Sequence, residues 1–302
     1  MLHAVDGVSF TIQKGETLGL VGESGCGKST LGRCLIRLLD ATGGSVVLYD
    51  EKTGAETDVT KVSAGVMKEL RRKVQIVFQD PYSCLNPRLS VWELIAEPLI
   101  VNGVYSGRNE MRKKVRELMS TVGLAERLEN SYPHELDGGR RQRIGIARSL
   151  ALSPEFIVLD EPVSALDVCI QAQILNLLND LQKEFHYTYV FISHNLSVVR
   201  HVSDRIAVMY LGKIVELSDY RELFVKPLHP YTQALLSAIP EAKLDVKKER
   251  IILEGDVPSP IEPPECCRFA GRCRCCKDIC KAETPELKEI LPNHFVACHQ
   301  EA

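Results

Sequence analysis

The stretch Thr17-Leu-Gly-Leu-Val-Gly22-Glu-Ser-Gly-Cys-Gly-Lys28-Ser-Thr30 constrains this chain more than any other. A short apolar run ends at glycine, and Gly22 and Gly27 are separated by four residues just before Lys28 and Ser29. Glycines let the backbone turn tightly between a strand and a helix, so that successive amide N–H groups and the helix N-terminus point at an anion. Phosphate oxygens suit that cradle. Lys28 then bridges β- and γ-phosphates, the Ser29 hydroxyl reaches Mg²⁺, and Ser24, Gly25, Gly27 and Thr30 hold the remaining oxygens. A glycine-rich turn without a ligand is the plainer reading, and the placement between strand and helix speaks against it. By itself the loop leaves kinases, GTPases, ATPases and nucleotide-binding regulators open.

The rest of the chain alternates in type. Apolar, β-rich runs at 74–78, 156–159, 189–192 and 205–209 are separated by helical patterns such as 28–39 and 168–184, which argues for an α/β sheet of parallel strands. From 81 to about 152 the strand signals fade and helical periods at 92–101 and 108–122 dominate, a helical insertion. After His229 a final helix gives way to a charged, proline-rich linker at 241–264. Seven of the 11 cysteines then fall within the last 37 residues, which marks a separate module. No run approaches the roughly 18 apolar residues of a membrane span, and the N-terminal decapeptide lacks the basic and apolar regions of a secretory signal. A cytoplasmic setting follows, in which clustered thiols favour a metal over disulfides. With 37 basic and 40 acidic side chains the net charge is -3, so nucleic acid has no global electrostatic claim as a partner.

Phe156-Ile-Val-Leu-Asp160-Glu161-Pro162 is an apolar strand that delivers two adjacent carboxylates at its C-terminal end, where α/β sheets place ligands. Asp160 suits the Mg²⁺ shell. Glu161, one residue further, is placed to polarise an attacking water as general base. Between the loop and these acids lies His134-Glu-Leu-Asp137-Gly138-Gly139-Arg140-Arg141-Gln142-Arg143. With that string the chain resembles the ATP-binding subunits of ABC transporters, whose signature reads LSGGQ. The other elements of the family stand in order: Gln79 in Val77-Phe-Gln-Asp80, the D-loop Ser164-Ala-Leu-Asp167, and the switch histidine His194 in Phe191-Ile-Ser-His-Asn195. The resemblance covers about residues 1 to 300. The strings around Asp160, His229-Pro-Tyr-Thr-Gln-Ala and Cys267-Arg-Phe are similar to the dipeptide and oligopeptide importer branch, which also serves nickel and related solutes.

The resemblance implies an α/β, P-loop NTPase fold of the ABC type: a cassette at 1–240 with a helical subdomain at about 80–152, the linker 241–264, and a small cysteine-rich module at 265–302. It implies ATP hydrolysis coupled to peptide import, with Glu161 and His194 handling the attacking water, Gln79 sensing water and Mg²⁺, and Ser29, Gln79 and Asp160 around Mg²⁺. Two cassettes meet head to tail, so Asp137, Gly138, Gly139 and Asp167 serve the partner's ATP. The implied partners are two transmembrane permease subunits on the cytoplasmic face of the membrane, a paralogous ATP-binding subunit, and indirectly an extracytoplasmic solute-binding protein. A non-hydrolysing regulatory subunit, a nickel-type transporter and the soluble ABC ATPases of translation or DNA repair are the alternatives. Intact Glu161 and His194 oppose the first, and the last would carry paired cassettes or a long coiled-coil insertion.

Three features depart from the pattern or extend it. Asp137 replaces the signature serine, and two like charges about 4 Å apart repel by ~4 kcal/mol at an effective dielectric of about 20. A degenerate ATP site in an asymmetric heterodimer is the expectation; the alternative is that Arg140 pairs with Asp137 and the acid is tolerated. The chain begins 27 residues before Lys28, and no residue is assigned to stack on adenine. Cys267, Cys273, Cys280 and Cys298 match the terminal cysteine pattern of the importer branch. Four thiolates suit a [4Fe–4S] cluster or a tetrahedral zinc, with Cys266, Cys275 and Cys276 as spares, and a metal-free module also stays open.

Overall fold

A computed structural model describes residues 1–50, 53–105, 107–239 and 250–300. The chain forms two compact units, one made of Met1–Leu31 with Phe191–Ala302 and the other of Gly32–Val190. Strand β1, Thr17–Val21, is buried along its whole length, and helix α1, Lys28–Leu35, follows the glycine loop. The helix stops four residues short of the expected 39, with Arg37 in a left-handed conformation that closes the turn.

Within the second unit, β2 (Val47–Asp50) and β3 (Ala55–Asp58) form an antiparallel hairpin whose residues are exposed or half-buried. The apolar residues Val47, Leu48 and Tyr49 of β2 are exposed or half-buried and face the polar β3, so this hairpin lies outside the run of buried strands. Helix α2, Ala64–Lys73, is capped by the Ser63 side chain and leads into β4, Val74–Val77. Then come α3 (Pro81–Cys84), α4 (Val91–Val101), α5 (Arg108–Thr121) and α6 (Gly138–Leu150), the helical stretch expected from periodicity. Ser90 and Glu93 cap α4 reciprocally, and Met111, Val115, Leu118 and Met119 give α5 its buried stripe. Strand β5, Phe156–Asp160, runs parallel to β4 from Val74 opposite Phe156 to Val77 opposite Leu159. Helix α7, Val168–Phe185, ends at His186 in the left-handed conformation. Strand β6, Thr188–Ser193, is buried throughout and contains the boundary between the units.

In the first unit α8, Leu196–Val202, precedes β7, Arg205–Tyr210, which lies parallel to β1. Here the expectation of parallel strands needs correcting. Strand β8, Lys213–Asp219, turns back antiparallel to β7 through a two-residue connection, and such a hairpin leaves no room for a helical crossover. After α9 (Tyr220–Val225), α10 (Pro230–Ser237) and α11 (Asp278–Ala282), strands β9 (Lys288–Leu291) and β10 (His294–Val296) pair antiparallel, and β10 also pairs with β8. The cysteine-rich stretch therefore packs within the first unit. Phe269 is 2% exposed, its ring 5.2 Å from that of Tyr210 and 5.4 Å from that of Tyr231.

A buried polar knot fixes these elements. Glu216 on β8 accepts from the backbone N–H groups of Leu228 and His229 and lies 2.7 Å from His294 Nε2. Burial drives His229 down to about 4, opposed by Glu216, and its neutral ring accepts the Tyr231 N–H that begins α10. Of the expected linker, 241–249 lies outside the described residues. Further on, Leu2 bridges Ile261 and the His3 N–H donates to the Pro260 carbonyl.

Candidate nucleotide site

The loop after β1 has the geometry that its sequence requires. Gly22 and Gly27 have φ of +155° and +104°, and a Cβ on either would lie about 2 Å from a backbone oxygen, Met209 O at 2.1 Å or Ala4 O at 2.0 Å. No other residue fits. Lys28 is 5% exposed, and its ammonium donates to the carbonyls of Gly22 and Glu23 at 2.8 and 2.9 Å. These bonds curl the loop around the charge that a polyphosphate needs. Cys26 Sγ lies 3.6 Å from the ammonium, and burial, opposed by the Lys28 charge, pushes its thiol up. The Tyr231 hydroxyl accepts the Glu23 N–H at 2.9 Å. The string around His229 therefore reaches the loop, which pattern matching alone did not reveal.

In the second unit, β5 ends at Asp160, 2% exposed, with the Arg33 guanidinium 3.9 Å away. Arg33, one turn beyond the loop on α1, escaped the sequence reading because helical arginines are common on surfaces. Glu161 follows with φ +48°, a left-handed conformation that costs a branched or long side chain about 1–2 kcal/mol. Gln79, two residues beyond β4, donates from Nε2 to Glu161 Oε2 at 3.1 Å, so the structure brings these two together. Among the first unit's residues, His194 is exposed in the turn between β6 and α8, beside Asn195, whose side chain caps α8.

Asp137 is the N-cap of α6: its carboxylate accepts the Arg140 N–H at 2.8 Å and pairs with the Arg140 guanidinium at 3.4 Å. A serine or an aspartate performs this cap equally well. Gly138 and Gly139 open the helix, and Asp167 stands at the N-cap position of α7. Among the described residues no disulfide joins two cysteines. Among the described residues no group of three or more His, Cys, Asp or Glu is gathered so as to hold a metal ion. Cys267 is nonetheless pushed up to about 11 by burial, against a backbone hydrogen bond from Phe269, with the neighbouring Cys280, Cys298 and Cys273 adding to the shift.

A strand, a glycine-lined loop with a buried lysine, and a second strand ending in adjacent carboxylates define the P-loop nucleotide-binding class of α/β proteins. The model of the ABC transporter family matches residues 5–164, and that of the oligopeptide/dipeptide transporter C-terminal region matches 215–280. The oligopeptide transport ATP-binding protein AppF of Bacillus subtilis (strain 168) is 54% identical over 301 residues, spanning 99% of this chain and 89% of that protein. A dimeric ATP-binding cassette in a post-hydrolysis state, bound to ADP and Pi, superposes with a TM-score of 0.62 at 32% identity, over 72% of this chain and 91% of its own. A cassette of Clostridium perfringens, part of the cbiONQ ABC transporter complex, gives 0.63 at 28%, over 74% and 84%. This chain belongs to the ATP-binding cassette family of ABC transporters, whose chemistry is ATP hydrolysis coupled to transport.

Proposed function

We propose that this chain is the ATP-hydrolysing subunit that energises peptide import. The observation that carries the reading is the C-terminal match over 215–280, joined to a Bacillus relative named for oligopeptide transport. No helix among the described residues is long and apolar enough to cross a membrane, and in the proposed assembly the path through the membrane belongs to permease subunits. Two of these, reached from the cytoplasmic face, and a solute-binding protein outside complete the proposed assembly. Co-purification with both permeases and ATP turnover stimulated by peptide-loaded binding protein test it. Stimulation by a nickel-loaded protein instead would reassign the solute.

The proposed division of labour follows residue chemistry. Ser24, Gly25, Gly27, Lys28 and Thr30 hold the phosphates. Ser29, Gln79 and Asp160 offer the hydroxyl, amide and carboxylate oxygens that a hard cation such as Mg²⁺ prefers, and the ion would neutralise charge on the phosphates. Glu161, already hydrogen-bonded to Gln79, takes the proton of the attacking water, and His194 holds the γ-phosphate side. Asp137, Gly138, Gly139 and Asp167 face a second cassette, where the N-terminus of α6 favours an anion.

That second cassette is proposed to be a paralogue with a serine in its signature, because Asp137 adds negative charge opposite a polyphosphate. Its bond to Arg140 reduces this charge without removing it. An Asp137→Ser change in the assembled transporter is expected to raise ATP turnover; unchanged turnover would show that the Arg140 pair suffices and a homodimer is adequate.

The spacing of Cys267, Cys273, Cys280 and Cys298 along the chain carries a metal as a second proposal, although among the described residues no three of these groups are gathered to hold one. A bound metal would hold these thiols deprotonated, against the burial that pushes Cys267 and Cys273 up. Iron, sulfide and zinc analysis of anaerobically purified protein, with its ultraviolet-visible spectrum, is expected to show a metal that a Cys267→Ser variant lacks. Metal-free wild type removes this part of the proposal and leaves the ATPase reading intact.

A further inference from the structure

Two residues from outside the phosphate loop hold it in place. Glu23, the second residue of the loop motif, has all three of its polar groups engaged. Its N–H donates to Tyr231 Oη at 2.9 Å, and its carbonyl accepts from the Lys28 ammonium at 2.9 Å. Its carboxylate receives two hydrogen bonds from the Arg272 guanidinium, at 2.8 and 3.3 Å. Tyr231 is fully buried, and the Arg272 side chain is only 10% exposed against 28% for Glu23, so the pair is partly shielded from bulk water. All four residues belong to the first unit.

The cysteine-rich stretch is what delivers Arg272. Phe269 inserts against Tyr210 and Tyr231, and the short helical turn Ala270–Arg272 follows directly and ends at Cys273. Arg268, on the other side of Phe269, donates to the Leu211 carbonyl and pairs with Asp6. The neighbouring Gly212 N–H donates in turn to the Cys26 carbonyl inside the loop. An aromatic plug flanked by two arginines thus fastens this stretch to both ends of the loop.

We infer that Arg272 and Tyr231 are positioning residues of the phosphate loop, through which the C-terminal stretch sets the affinity for nucleotide. They hold the Glu23 peptide so that its carbonyl orients the Lys28 ammonium, and Arg272 neutralises a carboxylate in the loop that must accept a polyphosphate. Without Arg272, Glu23 keeps an unpaired, half-buried negative charge where a triphosphate has to bind, and like charges there repel. This inference rests on the reading that the Lys28 loop holds ATP.

The test is Mg·ATP affinity of the full chain, measured by calorimetric titration, with kcat and KM of the assembled transporter and the melting temperature alongside. Arg272→Gln is expected to weaken ATP binding about tenfold, the size of one charge-assisted hydrogen bond, with KM rising more than kcat falls. Adding Glu23→Gln is expected to recover most of that loss, because the uncompensated charge is gone; a role limited to folding gives no such recovery. Wild-type affinity in Arg272→Gln, or a loss that Glu23→Gln leaves in place, overturns the inference. Should Arg272→Gln fail to fold, Tyr231→Phe decides: binding about threefold weaker is expected from one lost hydrogen bond, and unchanged binding overturns it. Lys28→Ala separates the two readings. If it also binds ATP normally, the loop is not the nucleotide site and the failure lies there.

Discussion

Glu161→Gln is expected to leave ATP binding within a few-fold of wild type while turnover of the assembled transporter falls about 10²- to 10⁴-fold, the usual worth of a general base. The amide has nearly the shape of the carboxylate, so the left-handed backbone at φ +48° and the contact with Gln79 at 3.1 Å are preserved in outline. What disappears is the ability to accept a proton from water. Single-turnover hydrolysis and equilibrium nucleotide binding, measured on the same preparation, separate the two effects. Turnover retained within tenfold would move the base elsewhere; binding lost together with turnover would make Glu161 a structural residue. The same variant distinguishes the hydrolysing subunit from a regulatory one, whose output would not depend on this carboxylate.

Lys28→Ala is expected to weaken ATP binding about 10- to 100-fold, which corresponds to about 1.5–3 kcal/mol for hydrogen bonds to a charged group, and to bring turnover close to background. Two losses combine. The positive charge for the β- and γ-phosphates is removed, and the carbonyls of Gly22 and Glu23, which the ammonium now draws together, lose their shared donor. Binding of nucleotide with wild-type affinity would remove the loop from the site altogether. Lys28→Arg is no remedy, because a planar guanidinium cannot replace a compact ammonium within a buried curl of backbone.

Much of the site was legible because its parts are local. The curl at Gly22–Thr30 requires small residues at fixed spacing, and the acids at Asp160 and Glu161 follow an apolar strand at once, so order along the chain suffices. The helical insertion was equally legible from periodicity, Met111 to Met119 forming one buried stripe. Asp137 was harder. Its charge suggests repulsion toward a partner's nucleotide, while the fold uses the same carboxylate to cap α6 and pair with Arg140. Strand β8 lies beyond the runs read from the sequence, and in the β2–β3 hairpin the apolar Val47, Leu48 and Tyr49 are exposed or half-buried opposite a polar strand, so they do not mark a core element.

The sequence by itself determined the family, the order of the elements around the loop, and which residues carry the proposed chemistry, because each of those motifs is built from backbone geometry within a few residues. Only the tertiary structure decided that the terminal stretch is part of the first unit. Glu216 meets His294 across 78 positions and Glu23 meets Arg272 across 249, and no pattern of propensity or period reports such pairs. They form because folding leaves one buried charge without water, and the nearest partner able to satisfy it lies far along the chain.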